Sequence, residues 1–322
     1  MTADPRRPDH PFALCLTHDV DRPYKSFVHS LYYAVRDRNP VQLRSLAPEI
    51  NPYWQFDAVM RLEAELGVRS AFYFLSEPRL GNRSFRELLD TDTWVQLLGR
   101  YDVRSPEIAD VIRRLADGGW EVGLHGSYGT ADDRDRLRIE KNRIERVLRA
   151  EIRGGRQHYL DLEVPRTWRH HRAIGLDYDT SLGSSSRYGF ADGFDVRRPF
   201  DDHFVVFPLT LMESALPDPG ESFEAAWSVC ESLLAEAEAN GAVMTVLWHP
   251  RLFCSVDFPG YRQVYRRLVE AALDRGAWVG SPGTYYDRYL AGDERPAVER
   301  PRDPERFGAD GRRRNGGALD RE

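Results

Sequence analysis

The chain has 322 residues, of which 41% are hydrophobic and 30% charged, which excludes wholesale disorder and a collagen-like repeat. A net charge of −6 argues against a protein that holds nucleic acid through bulk positive charge. No run of about 18 apolar residues is present, so the sequence predicts no membrane span.

Residues 1–11 read as an N-terminal extension. Their basic residues are followed by no long apolar stretch and no small-residue cleavage site, so no signal peptide is expected and the protein is placed in the cytoplasm. The three cysteines, Cys15, Cys230 and Cys254, are far apart, form no Cys-x-x-Cys pattern and suit buried thiols in a reducing compartment.

Short apolar runs alternate with longer stretches of helical period. A first strand is predicted over 12–17, followed by an irregular region, 22–51, with an extra helix at 26–36 that would cap one end of the fold. A helix at 54–66 stops at Gly67, and a nearly continuous apolar strand follows at 70–75. The helix predicted over 106–116 has Ser105 as N-cap and proline at its first position. Further strands are expected at 120–124, 155–160, 178–182, 204–211, 242–248 and 277–280. Helices are expected at 132–152, 223–239 and 261–274. Residues 184–203 read as a long loop, the kind that is often functional. Strands separated by helices imply βα units and a parallel sheet. About seven or eight such units suggest an α/β barrel, with a doubly wound sheet as the alternative. The segment 291–322 is half charged, rich in Gly and Pro, and predicted to be disordered.

Candidate chemistry collects where the strand runs stop. The first ends in Thr17-His18-Asp19-Val20-Asp21. Two acids beyond a buried strand are costly there without a metal, a cation or water. Asp19 and Asp21 are read as facing apart along the strand unless the chain turns, and Pro23 would supply a turn. The run ending at 124 is followed by His125. The fourth contains Arg156-Gln157-His158-Tyr159, and the seventh ends in Trp248-His249. In βα barrels the C-terminal strand ends line the active site, so it is the constellation rather than any one residue that carries the signal. His18 reads as a packed or hydrogen-bonded residue, and His170 and His171 as surface residues of a helix. Tyr128, Tyr159 and Trp248 suit either sugar stacking or core packing. There is no Gly-x-Ser-x-Gly elbow and no phosphate-binding glycine motif.

The order and spacing of these segments, over about 12–290, resemble the polysaccharide deacetylase superfamily, the NodB-homology domain. The resemblance implies a distorted (β/α) barrel of about seven strands, one divalent metal, usually zinc, and hydrolysis of an N-acetyl C–N bond on an amino sugar or saccharide precursor. It further implies Asp19 as catalytic base, Asp21 and His125 as metal ligands, Arg156 orienting Asp19, and His249 as general acid. The backbone around Tyr159, with Ser127, would help bind the substrate or its oxyanion. The family's second motif carries a second histidine, which would fall at Gly129 here and is missing. His158, standing where the family has an apolar residue, is expected to supply the third ligand; Asp19, or Ser127 through water, are the alternatives. The departure leaves two other readings: a degenerate barrel that binds a glycan without turnover, and an amidohydrolase acting on a small non-sugar amide. Nucleic acid is not an expected partner, and the oligomeric state is not readable.

Overall fold

Strand β1 (Ala13–Val20) is buried along its whole length. Side chains on a strand alternate between faces, and the packing follows that period. Ala13 and Cys15 join an inner cluster with Ala71, Tyr73, Tyr178 and Phe207. Leu14, Leu16 and Val20 pack outward with Phe72 and Phe74 against the helices. A strand covered on both faces must be apolar almost throughout, which is why this one was visible as a continuous run.

The computed structural model describes residues 9–25, 51–76 and 101–291. The elements after β1 are α1 (Phe56–Glu65), β2 (Ala71–Leu75), α2 (Pro106–Asp117), β3 (Glu121–Gly126), α3 (Arg134–Leu148), β4 (Gly154–Gln157), α4 (Arg166–Ala173), β5 (Tyr178–Asp179), β6 (Val205–Val206), β7 (Leu209–Met212), α5 (Phe223–Asn240), β8 (Val243–Leu247), α6 (Tyr261–Asp274), β9 (Trp278–Gly280) and α7 (Pro282–Tyr285). The expected helix at 26–36 and all of the charged tail after Ala291 lie outside the described residues.

Every pairing between these strands is parallel, in the order β6-β5-β4-β3-β2-β1-β8-β7, with β9 also against β1. Only Phe207 and Pro208 separate β6 from β7, yet the two stand at opposite ends of that order. The sheet must therefore curl until its edges approach. Bonds from Leu209 N–H to the Leu182 carbonyl (2.7 Å) and from Gly189 N–H to the Thr210 carbonyl (2.9 Å) tie the edges together. The result is a distorted (β/α) barrel, as expected, with more strands than the predicted seven. The run at 204–211 is split at Pro208, which has no N–H for a ladder, and the run at 178–182 pairs over two residues only.

The helices end close to where they were expected. Ser222 caps α5 by accepting from Ala225 N–H, and Gly241 closes it with φ +61. Asp133 caps α3. Ser105 stands at the N-cap of α2, but its hydroxyl makes no capping bond. The three cysteines are buried and free. Among the described residues no helix is long and apolar enough to cross a membrane.

Candidate active site

Parallel strands deliver their C-terminal ends to one mouth of a barrel. β1, β3 and β4 lie close together in the sheet, with Leu75 of β2 paired to His125 and His125 paired to Arg156. β8 flanks β1 on its other side. The ends of these four strands supply every titratable side chain expected at the site.

Arg156 is fully buried and organises the first layer. Its Nη1 donates to Asp19 Oδ1 and to Thr17 Oγ1, each at 2.9 Å, and its Nε donates to the Thr180 carbonyl at 2.9 Å. Thr17 in turn donates to the Val246 carbonyl at 2.7 Å, locking the β1–β8 seam. Asp19 is thus held by a charge-assisted bond, and its other oxygen, Oδ2, stands 3.6 Å from His125 Nε2.

Asp21 sits at the centre of the second layer. Its carboxylate lies 3.1 Å from His125 Nε2, 3.7 Å from His158 Nε2, 3.0 Å from His249 Nε2 and 3.5 Å from Arg251 Nη1. Asp19 and Asp21 therefore face the same side, contrary to the sequence reading. Residues two apart in a strand share a face, and both acids continue the inward row of Ala13, Cys15 and Thr17.

Asp21, His125 and His158 each offer a ligand atom, and these atoms all lie within 4.8 Å of one another. One carboxylate and two imidazoles form a donor set suited to zinc. His125 Nδ1 bonds the Arg156 carbonyl at 2.9 Å, which fixes the ring with Nε2 directed at Asp21. Burial, together with the histidines beside it, pushes His158 down to about 4, so its ring is neutral and able to ligate. Burial alone would raise the Asp21 carboxyl, but His249, His158 and His125 hold it well below the usual range. These residues fit a divalent metal.

His249 is held from behind. Its Nδ1 lies 2.5 Å from Glu213 Oε1, while Nε2 points to Asp21. Burial disfavours its charged form, but Glu213 and Asp21 outweigh this and raise it to about 9. Neither Glu213 nor Arg251 was picked out in the sequence. Glu213 carries the same signature as the others, a polar residue directly after the apolar strand β7.

Other expectations fare differently. Ser127, expected near the substrate, is buried and turned to α3, where its hydroxyl donates to Glu140 and its N–H bonds Glu140 Oε2 at 3.0 Å. Tyr159 follows His158 in left-handed backbone, φ +58, and its ring is 59% exposed, edge-on to that of Tyr128 with centroids 5.9 Å apart. Trp248 is fully buried and belongs to the core. His171, read as a surface residue, is buried, with Nδ1 3.1 Å from Asp179 and Nε2 3.0 Å from the Gln157 amide. His18 is packed and bonded as expected, between the Trp248 carbonyl and Glu63.

No protein-family model matches the chain, and no curated protein matches it. Solved structures do. A Mycobacterium smegmatis protein provisionally assigned as a polysaccharide deacetylase superposes with a TM-score of 0.58, at 17% identity over 90% of this chain and 96% of that one. The chain shares the fold of that protein. The Puue allantoinase superposes with a TM-score of 0.53 at 15% identity, covering 88% of this chain and 93% of that one. At these identities the likeness is one of fold; the chemistry rests on the side chains at the mouth of the barrel.

Proposed function

We propose that this protein is a metal-dependent hydrolase that removes an N-acetyl group from an amino sugar or surface-polysaccharide precursor. The observation that carries the reading is the meeting of Asp21, His125 and His158 beside an arginine-held Asp19. These three would hold one divalent ion, zinc. When bound, such an ion supplies Lewis acidity toward the acyl oxygen and a lowered pKa for water.

The chain's own residues do the rest. Asp19 Oδ1 is occupied by Arg156, so Oδ2, which faces the ligand cluster, takes the proton from the attacking water. Arg156 and Thr17 fix the carboxylate in that orientation. His249, anchored at Nδ1 by Glu213, presents Nε2 to the mouth and delivers a proton to the leaving amine nitrogen. The backbone at Tyr159 is assigned to the oxyanion. Water and amide become acetate and amine, with the proton passing from water to Asp19 and from His249 to nitrogen. A cytoplasmic setting accords with three free buried thiols and would direct the enzyme to a precursor rather than a finished wall polymer.

The likeness to an allantoinase supports a second reading, a small cyclic amide as substrate. The test is zinc content after loading and desalting, together with acetate release from N-acetylglucosamine derivatives and turnover of allantoin. About one zinc per chain is expected, lost in Asp21→Ala/His125→Ala and in His158→Ala. Unchanged zinc in His158→Ala would remove that residue from the ligand set. Zinc retention without turnover of any amide would end the hydrolase reading.

A further inference from the structure

Three histidines crowd Asp21, and they are not held alike. His125 is fixed through Nδ1 on the Arg156 carbonyl at 2.9 Å, and His249 through Nδ1 on Glu213 Oε1 at 2.5 Å. His158 turns Nε2 toward Asp21 at 3.7 Å, but its Nδ1 is buried and bonds nothing among the described residues. A ligating imidazole gives its second ring nitrogen to an oxygen, and that bond sets the direction of the ring. Without it the imidazole is free to pivot about its Cβ–Cγ bond, where the torsional preference is broad.

A neighbouring ring stands where that restraint is missing. The ring of Tyr159 lies against that of His158, with centroids 4.2 Å apart and planes 24° apart. Pivoting the imidazole would drive its edge into the tyrosine face. Adjacent side chains of a strand point to opposite faces and do not meet. These two meet because Gln157 is still extended while Tyr159 and Leu160, neither of them glycine, are left-handed with φ +58 and +54. That backbone is unfavourable at both positions and must be held. Leu160 packs with Leu209, Met212 and Leu247, and Asp161 N–H bonds the His158 carbonyl at 3.2 Å. Burial does not account for Tyr159, whose ring is exposed. What the strained turn achieves is the overlay of the two rings.

We propose that Tyr159 is a positioning residue for His158: its ring, stacked on the imidazole, holds Nε2 toward the metal position in place of the hydrogen bond that fixes His125 and His249. The inference deepens the hydrolase reading above and rests on it for His158 as a ligand.

The test is the zinc affinity of the full-length protein, measured by competition with a chromophoric chelator. Turnover would not serve alone, because the Tyr159 backbone is assigned to the oxyanion. Tyr159→Ala keeps a Cβ at the left-handed position and removes only the ring. It should weaken zinc by about fivefold or more, while Tyr159→Phe stays within about twofold of wild type. In a His158→Ala background, Tyr159→Ala should have no further effect. In the zinc-free protein the His158 ring protons should resonate upfield under the tyrosine ring current, and should move downfield in Tyr159→Ala but not in Tyr159→Phe. Wild-type zinc affinity in Tyr159→Ala would overturn the proposal, as would His158 signals that do not move. An equal loss of affinity in the His158→Ala background would also overturn it, since the turn rather than the imidazole would then carry the effect. The two readings fail separately. Weaker zinc in His158→Ala with unchanged zinc in Tyr159→Ala leaves the ligand set standing and ends this inference alone. No zinc on the wild type, or unchanged zinc in His158→Ala, removes His158 as a ligand and the inference with it.

Discussion

Glu63 offers the sharpest test of how the site is held. It lies on α1, wholly buried, yet its carboxylate gathers five hydrogen bonds. Oε1 faces His18 Nε2 at 2.9 Å and accepts from Tyr265 OH at 2.6 Å. Oε2 accepts from Ser70 N–H at 3.1 Å, Ser70 Oγ at 2.8 Å and Trp120 Nε1 at 2.6 Å. His18 also bonds the Trp248 carbonyl, so the network spans β1 and β8 next to Asp19 and His249. Glu63→Leu would leave two donors that cannot rotate away, Ser70 N–H and Trp120 N–H, and would strip His18 of its partner. At about 1–3 kcal/mol per unsatisfied group the loss should be about 4–5 kcal/mol, near the figure for breaking a buried ion pair. Glu63→Gln should cost about half that, because one oxygen still serves Ser70 and Trp120 while the amide N–H₂ can donate to His18. Urea unfolding followed by tryptophan fluorescence measures both. Burial raises the Glu63 carboxyl, but the bonds from His18, Tyr265 and Trp120 outweigh it and hold it below its ordinary value. The stabilisation is therefore complete above the unfolded pKa of about 4.3 and is lost as pH falls through the folded one, so the gap between wild type and Glu63→Leu should narrow below about pH 4. A Leu variant within about 1 kcal/mol of wild type at pH 7, or one no worse than Gln, would refute the reasoning.

Two further outcomes follow from the buried layers. His171→Ala should destabilise by about 2–3 kcal/mol, since it deprives Asp179 of one partner and loosens the Gln157 amide between Arg156 and His158. Burial raises Asp179, but His171 and Ser181 bring it below its ordinary value; the deficit of the variant should therefore be larger at pH 7 than at pH 3 in urea titrations, and a deficit independent of pH would contradict the pairing. Gly154→Ala would drive a methyl group into the buried Tyr178 ring inside the barrel and should lower the thermal midpoint by about 3 °C or more in a fluorescence melt.

The strands with near-continuous apolar runs were legible because burial on two faces leaves little choice of residue, and the polar residue that follows each run marks the barrel mouth. Asp19, Asp21, His125, Arg156, His158 and His249 all stand out on that criterion, and the structure brings all six together. Glu213 met the same criterion after β7 and went unremarked. Its run had been drawn as one strand to 211, while Pro208 ends one strand and the chain crosses to the opposite edge of the sheet. His171 differs for another reason: Thr167 and Trp168 stand four and three residues before it on one face of α4, and Trp168 marks that face as the buried one. What no spacing encodes is the left-handed backbone at Tyr159 and Leu160, φ +58 and +54, which ends β4 in a tight turn just after His158.

That turn bears on the missing histidine. The family pattern would put a second ligand at Gly129, four residues after His125. Here Gly129 is exposed, has φ +70, and nothing lies within 4 Å of where its Cβ would be. The turn that holds it is closed by bonds from Thr130 N–H and Oγ1 to the Ser127 carbonyl, at 3.2 and 2.6 Å. Ser127 is itself anchored to Glu140. A side chain at 129 thus starts in solvent from a left-handed residue, at a cost of about 1 kcal/mol for any non-glycine. His158 instead comes from the end of β4, its ring edge-on to that of His125 with centroids 5.0 Å apart. The proposed ligand set is then drawn from three strands, β1, β3 and β4. Gly129→His should accordingly leave zinc affinity unchanged in competition with a chelator and should fail to rescue His158→Ala. Rescue would show that the 127–130 turn can swing inward and that the donors at this mouth are interchangeable between the two loops.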